Sequence, residues 1–82
     1  MQLLKFYADW CQPCKNLSEI MAKVELPWKV VEIDIEKNME DAIYYGVRML
    51  PTLVLLDENN NIVKKVTGAM TEKHFKQVFE LE

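Results

Sequence analysis

The sequence is poor in glycine, with two, and in proline, with three, while half of its 82 residues are apolar. That balance excludes the polar bias of disordered segments and allows a packed core. An excess of positive charge is missing too: 13 acidic residues against 10 basic ones, spread along the chain, give a net charge of -3. No phosphate-binding surface is expected, so nucleic acid is not an expected partner. No apolar run approaches membrane-spanning length, and MQLLKFYADW has no basic stretch followed by a long apolar one. The expectation is a soluble, unsecreted, cytoplasmic protein without a membrane partner. A chain of 82 residues can fill one core, so residues 1–82 are expected to form a single domain. Histidine occurs once, at His74, and cysteine twice, at Cys11 and Cys14. A structural zinc site takes about four ligands and usually adds a second CxxC or HxxxH pair, so no metal is expected.

What is present reads as alternating strands and helices. Leu3 to Ala8 is an apolar run broken only by Lys5, which suits a strand covered on both faces. From Cys14 onward Leu17, Ile20, Met21 and Val24 recur at helical spacing, and the helix is expected to end near Pro27. Trp28 to Ile35 alternates, with Val31, Ile33 and Ile35 on one side and Val30, Glu32 and Asp34 on a less buried side. Asn38 as N-cap and Gly46 as a left-handed stop bracket a short helix. Thr52 to Leu56 and Ile62 to Val66 flank an Asp-Glu-Asn-Asn-Asn turn and predict a hairpin. Thr71 caps a last helix that gathers Phe75, Val78 and Phe79 on one face. The fold class expected is α/β, in the order βαβ-α-ββα. A right-handed crossover makes the first two strands parallel and the hairpin adds antiparallel ones. The outcome is a four-stranded mixed sheet with helices on both faces and the first strand in its middle.

The two cysteines stand three apart in Ala8-Asp9-Trp10-Cys11-Gln12-Pro13-Cys14-Lys15, at a strand-to-helix turn. Taken alone, CxxC allows metal, staple or redox readings, or simply two small buried residues. A staple is a poor explanation, because so short a loop removes little unfolded-chain entropy when closed. The predicted setting favours redox chemistry. Cys11 would sit where unpaired N–H groups and the helix dipole favour a thiolate, which makes it the nucleophile. Cys14, one turn on and less exposed, would resolve a mixed disulfide by attacking the sulfur of Cys11. Pro13 suits the first helical turn, where its missing N–H costs nothing, and stiffens the loop.

Three blocks carry a resemblance to a known family: Phe6 to Lys15 around the cysteines, Tyr45-Gly46-Val47-Arg48-Met49-Leu50-Pro51-Thr52, and Gly68-Ala69. In this order and spacing they resemble the thioredoxin superfamily over essentially the whole chain. The resemblance implies a minimal thioredoxin fold, the size that glutaredoxins also have, lacking the N-terminal strand and helix of full-length thioredoxins. It implies that Pro51 is cis and faces the cysteines, leaving the backbone of Leu50 to pair with an extended substrate. Trp10, Leu50, Ala69 and Met70 would form an apolar rim around Cys11, with Pro51 and Gly68 completing the substrate-binding set.

This sequence also departs from the family. Gln12-Pro13 stands where thioredoxins usually have Gly-Pro and glutaredoxins Pro-Tyr, and this dipeptide tunes the reduction potential. Lys5 replaces the buried aspartate credited with moving a proton to the resolving thiol, and Val30 stands where the lysine that pairs with that aspartate is expected. Two readings of Lys5 follow. Its ammonium stabilises thiolate and pairs with Glu32, or it snorkels to the sheet edge without a catalytic role, which the cost of burying a charge favours. The stretch Thr67-Gly68-Ala69-Met70-Thr71-Glu72 lacks the Gly-Gly pair with which glutaredoxins hold glutathione. The activity implied is reduction of protein disulfides by a monomer, without a bound cofactor and with a thioredoxin reductase as electron donor. A glutathione-reduced glutaredoxin is the alternative enzyme, and an adaptor that grips partners without turnover is the alternative outside enzymes.

Overall fold

Strand β1, Gln2–Tyr7, forms where the apolar run predicts it, and the hydrogen-bonded order β2-β1-β3-β4 places it inside the sheet. The computed structural model describes residues 1–81, so the last residue of the expected 1–82 domain lies outside the described residues. Helix α1, Gln12–Lys23, returns the chain to a parallel β2, Lys29–Asp34, as a βαβ crossover requires. Helix α2, Met39–Tyr44, leads to β3, Thr52–Leu56, which runs antiparallel to β1. Strand β4, Ile62–Thr67, closes the hairpin and α3, Glu72–Val78, ends the fold.

Two layers of side chains follow from the strand period of two. Leu3, Leu53 and Leu55 pack with Leu17 of α1 and with Phe75 and Phe79 at the C-terminal end. On the opposite face Leu4, Phe6, Val54 and Leu56 pack with Ile33, Tyr45 and Val47. On β2 Val30 reaches the first layer and Val31 the second; on the side expected to be less buried Glu32 is exposed but Asp34 is buried. The Asp34 carboxylate accepts the Glu36 amide at 2.9 Å, a turn in which the side chain replaces a backbone partner.

The ends of the elements follow their chemistry, with one correction. Thr71 Oγ1 accepts the His74 amide at 3.1 Å, and Gly46 takes the left-handed φ of 66° just past α2. Asp57 Oδ1 accepts the amides of Asn59 and Asn61 and shapes the hairpin turn, while Asn60 is left-handed at φ 64°. Asn38 occupies the N-cap position of α2 but makes no side-chain cap bond. Its amide instead donates to the carbonyl of Asp34 at 3.2 Å, so the loop before the helix claims it. Thr71→Ala is therefore expected to cost about 1 kcal/mol in urea unfolding, and Asn38→Ala less than about half of that. Equal losses would contradict the cap assignment.

Candidate active site

The end of β1 and the start of α1 bring both cysteines to one place. The Cys11 amide donates to the carbonyl of Ala8 at 3.1 Å, turning the chain out of the strand. Cys11 is then the N-cap of α1, and its sulfur accepts the Cys14 amide at 3.2 Å. Cys11 and Cys14 are joined as a disulfide with Cα atoms 5.3 Å apart. The helix starts at Gln12, ahead of the apolar periodicity that begins at Cys14, because the cap at Cys11 and the proline in its first turn define the first turn. Gln12 donates to Asn16 Oδ1 at 3.1 Å, one turn along the exposed helix face.

Beside Cys11 lies a groove of about 430 Å³. Trp10, Pro13, Ile35, Val47, Met49 and Leu50 are among the side chains that line it. Trp10 is 68% exposed and its indole N–H donates to Glu36 Oε2 at 3.2 Å, which fixes the ring at the rim. The Leu50-Pro51 bond is cis, as the resemblance implies, and Leu50 packs against the cluster formed by Ala8, Cys11 and Cys14. Pro51 itself is fully buried, and its carbonyl accepts the Gly68 amide at 2.8 Å, tying the Gly68-Ala69 loop to the site. A Cβ at Gly68 would come within 3.3 Å of Met49 Sδ, and its φ is 90°, so glycine fits here on both counts.

Two expected rim residues are not among those that line this groove. Met70 packs against the Leu3-Phe75 layer, and neither Ala69 nor Met70 lines the groove. Their places are taken by Ile35, which follows β2, and by Val47 and Met49 from the segment before Pro51. Sequence reasoning passed over these residues because nothing but the fold joins them to the cysteines.

Of the two readings of Lys5, the pairing with Glu32 holds and the favoured one, snorkelling to the sheet edge, does not. Strand β1 has neighbours on both sides, so Lys5 cannot reach a sheet edge and is only 2% exposed. Its ammonium donates to Ser18 Oγ of α1 and lies 4.0 Å from Glu32 Oε1. The register sets Val30 opposite Leu3 and Glu32 opposite Lys5, so the residue facing Lys5 is an acid and not Val30. Burial pulls the Lys5 ammonium below the ordinary lysine range, and the nearby Glu32 carboxylate offsets part of that.

The family model for thioredoxin matches residues 1–80. The chain belongs to the thioredoxin family. It is 33% identical to the thioredoxin of Buchnera aphidicola from Acyrthosiphon pisum over 82 residues, 95% of this chain and 75% of that one. With the thioredoxin of Bacillus subtilis it shares 34% over 68 residues, covering 78% of this chain and 65% of the relative. Among solved structures, a mutant thioredoxin from Halobacterium salinarum superimposes with a TM-score of 0.84 at 37% identity, over 96% of this chain and 71% of its own. The oxidised mitochondrial thioredoxin 3 of Saccharomyces cerevisiae gives 0.79 at 27% identity, over 98% of this chain and 77% of that one. The four-stranded mixed sheet is thus a thioredoxin fold, and the chain is a thiol–disulfide oxidoreductase of thioredoxin type. Membership in the family implies protein disulfides as substrates and a reductase as partner. Among the described residues no helix is long and apolar enough to cross a membrane.

Proposed function

We propose that the chain reduces protein disulfides through Cys11-Gln12-Pro13-Cys14, with Cys11 as nucleophile, Cys14 as resolving thiol and a thioredoxin reductase as electron donor. The observation that carries this reading is the apolar groove beside Cys11, with Trp10 and Met49 at 68% and 58% exposure. A wide apolar surface of this kind suits an apolar protein segment better than a small charged peptide. Trp10, Leu50 and Pro51 would hold an extended segment beside Cys11, while Gly68 and Ala69 bound the site from the neighbouring loop. Gln12 and Pro13 would set the potential through the helix start. Acting as a monomer in a compartment that keeps thiols reduced, the protein would need no bound cofactor.

The steps balance on the two sulfurs. Cys11 thiolate attacks one sulfur of the substrate disulfide, forming a mixed disulfide and releasing one substrate thiolate; Cys14 thiolate then attacks Cys11 and releases the other. The helix N-terminus at Cys11, with the Cys14 amide directed at its sulfur, favours the anionic form. Recycling of the oxidised protein tests the reading: NADPH with a thioredoxin reductase should restore the dithiol, and glutathione alone should do so far more slowly. Faster recycling by glutathione would make it a glutaredoxin.

A further inference from the structure

The groove beside Cys11 does not include Cys14, which instead lines a second cavity of about 170 Å³ together with Lys5, Ser18 and Glu32. This cavity has a charge gradient built into it. The Lys5 side chain is 3% exposed and its partner Glu32 is 59% exposed, so the positive end of the pair lies inside and the negative end toward solvent. The Ser18 hydroxyl accepts from the ammonium and holds it on the α1 side of the sheet, the side from which Cys14 projects into the same cavity. Burying an ammonium on a central strand is costly, and no packing requirement calls for a charge between Leu3 and the cysteines.

We propose that the Lys5–Ser18–Glu32 cluster governs the ionisation of Cys14, with Lys5 a positioning charge that favours the Cys14 thiolate at the resolving step. The inference rests on the reading of Cys14 as the resolving thiol. In the mixed disulfide Cys11 is bonded to a substrate sulfur and Cys14 still carries its proton. That proton leaves through the cavity to water, the freed electron pair of Cys14 forms the bond to Cys11, and the bond from Cys11 to the substrate breaks. The substrate departs as a thiolate that is protonated by solvent, and the dithiol has lost the two electrons that the substrate disulfide gained. A fixed positive charge lowers the free energy of the Cys14 thiolate, so more of the intermediate is poised to resolve at neutral pH. Glu32 offsets part of the cost of burying the ammonium from the solvent side, where its own charge is screened from the sulfur.

The test uses the full chain with Cys11→Ser, so that only one thiol titrates and no turnover is needed. The pH dependence of the Cys14 Cβ resonance is followed by NMR with Lys5 intact and with Lys5→Met, Lys5→Gln and Lys5→Arg. Tyr7, Asp9 and Lys15, the other titratable groups lining the cavity, stay unchanged throughout. Removing the charge, with either Met or Gln, is expected to move the Cys14 midpoint upward by about one unit, a roughly tenfold loss of thiolate below it. Arg, which keeps the charge, should cancel most of that shift, a rescue that a merely structural role would not produce. Met and Gln differ in how they fill the site, so one readable variant suffices if the other does not fold. An unmoved midpoint without the charge, or an equal shift with Arg, would overturn the proposal. Failure of the dithiol to reduce any protein disulfide would sink the reductase reading instead, and would leave this titration fully readable.

Discussion

Cys14→Ser is expected to reduce multiple-turnover disulfide reduction to the rate of the small-molecule thiol alone, while one equivalent of substrate remains covalently attached to Cys11. Cys11 is the cysteine that lines the groove and the N-cap of α1, so substrate sulfur meets it first. Without Cys14 there is no internal thiolate to displace the substrate, and the mixed disulfide waits for an external thiol. Intact-mass measurement after mixing with an oxidised protein substrate should show this adduct in Cys14→Ser and none in Cys11→Ser. The two single variants therefore differ in chemistry although both lose turnover. An adduct on Cys14 in the Cys11→Ser protein, at a comparable rate, would reverse the roles assigned to the two sulfurs. Retained turnover in Cys14→Ser would remove the resolving step from the mechanism.

The cysteine pair and the order of elements were legible because each rests on local signals, a spacing and a hydrophobic period, whereas the cis bond at Pro51 came from the family resemblance. Register was not legible. Alternation tells which residues share a face of β2, and sliding the strand by two residues keeps every residue on its face. Val30 and Glu32 are therefore equivalent by periodicity, so the pairing of Lys5 with Glu32 stood as one of two readings until the register set Gln2 opposite Lys29. The rim of the groove fails for a related reason. Ile35, Val47 and Met49 come from separate stretches, and their shared surface exists only once β1 lies between β2 and β3. Asn38 shows competition at short range: both the N-cap role and the bond to the Asp34 carbonyl were open to its side chain, and the loop geometry selected the second.

Phe75→Ala is expected to lower stability by about 3–5 kcal/mol, a large part of the roughly 4–12 kcal/mol that about 0.05–0.15 kcal/mol per residue gives a chain of this size. Helix α3 has seven residues, too few to hold itself in water, and Phe75 is its one buried residue. The ring is 0% exposed and lies 5.4 Å from Phe79, which in turn meets Trp28 at 5.8 Å, so removal opens a cavity in a chain of aromatic contacts. Little can close over it, because Leu3, Leu53 and Leu55 on the facing strands are held by the sheet. Beyond the packing of Val78 and Phe79, a further tie is the Lys64 ammonium donating to the carbonyl of Val78 at 2.5 Å, a bond whose net worth is about 1–3 kcal/mol. Urea unfolding followed by far-ultraviolet circular dichroism checks this, with Val78→Ala, a half-buried neighbour, as the control expected to lose about 1 kcal/mol. A loss below that for Phe75→Ala would place α3 outside the cooperative core. The consequence reaches the site, because the Gly68 amide that binds the Pro51 carbonyl sits on the segment leading into α3. A chain that loses its grip on α3 should therefore lose groove geometry before it loses the sheet, seen as a raised KM for protein disulfides in the milder Phe75→Leu variant.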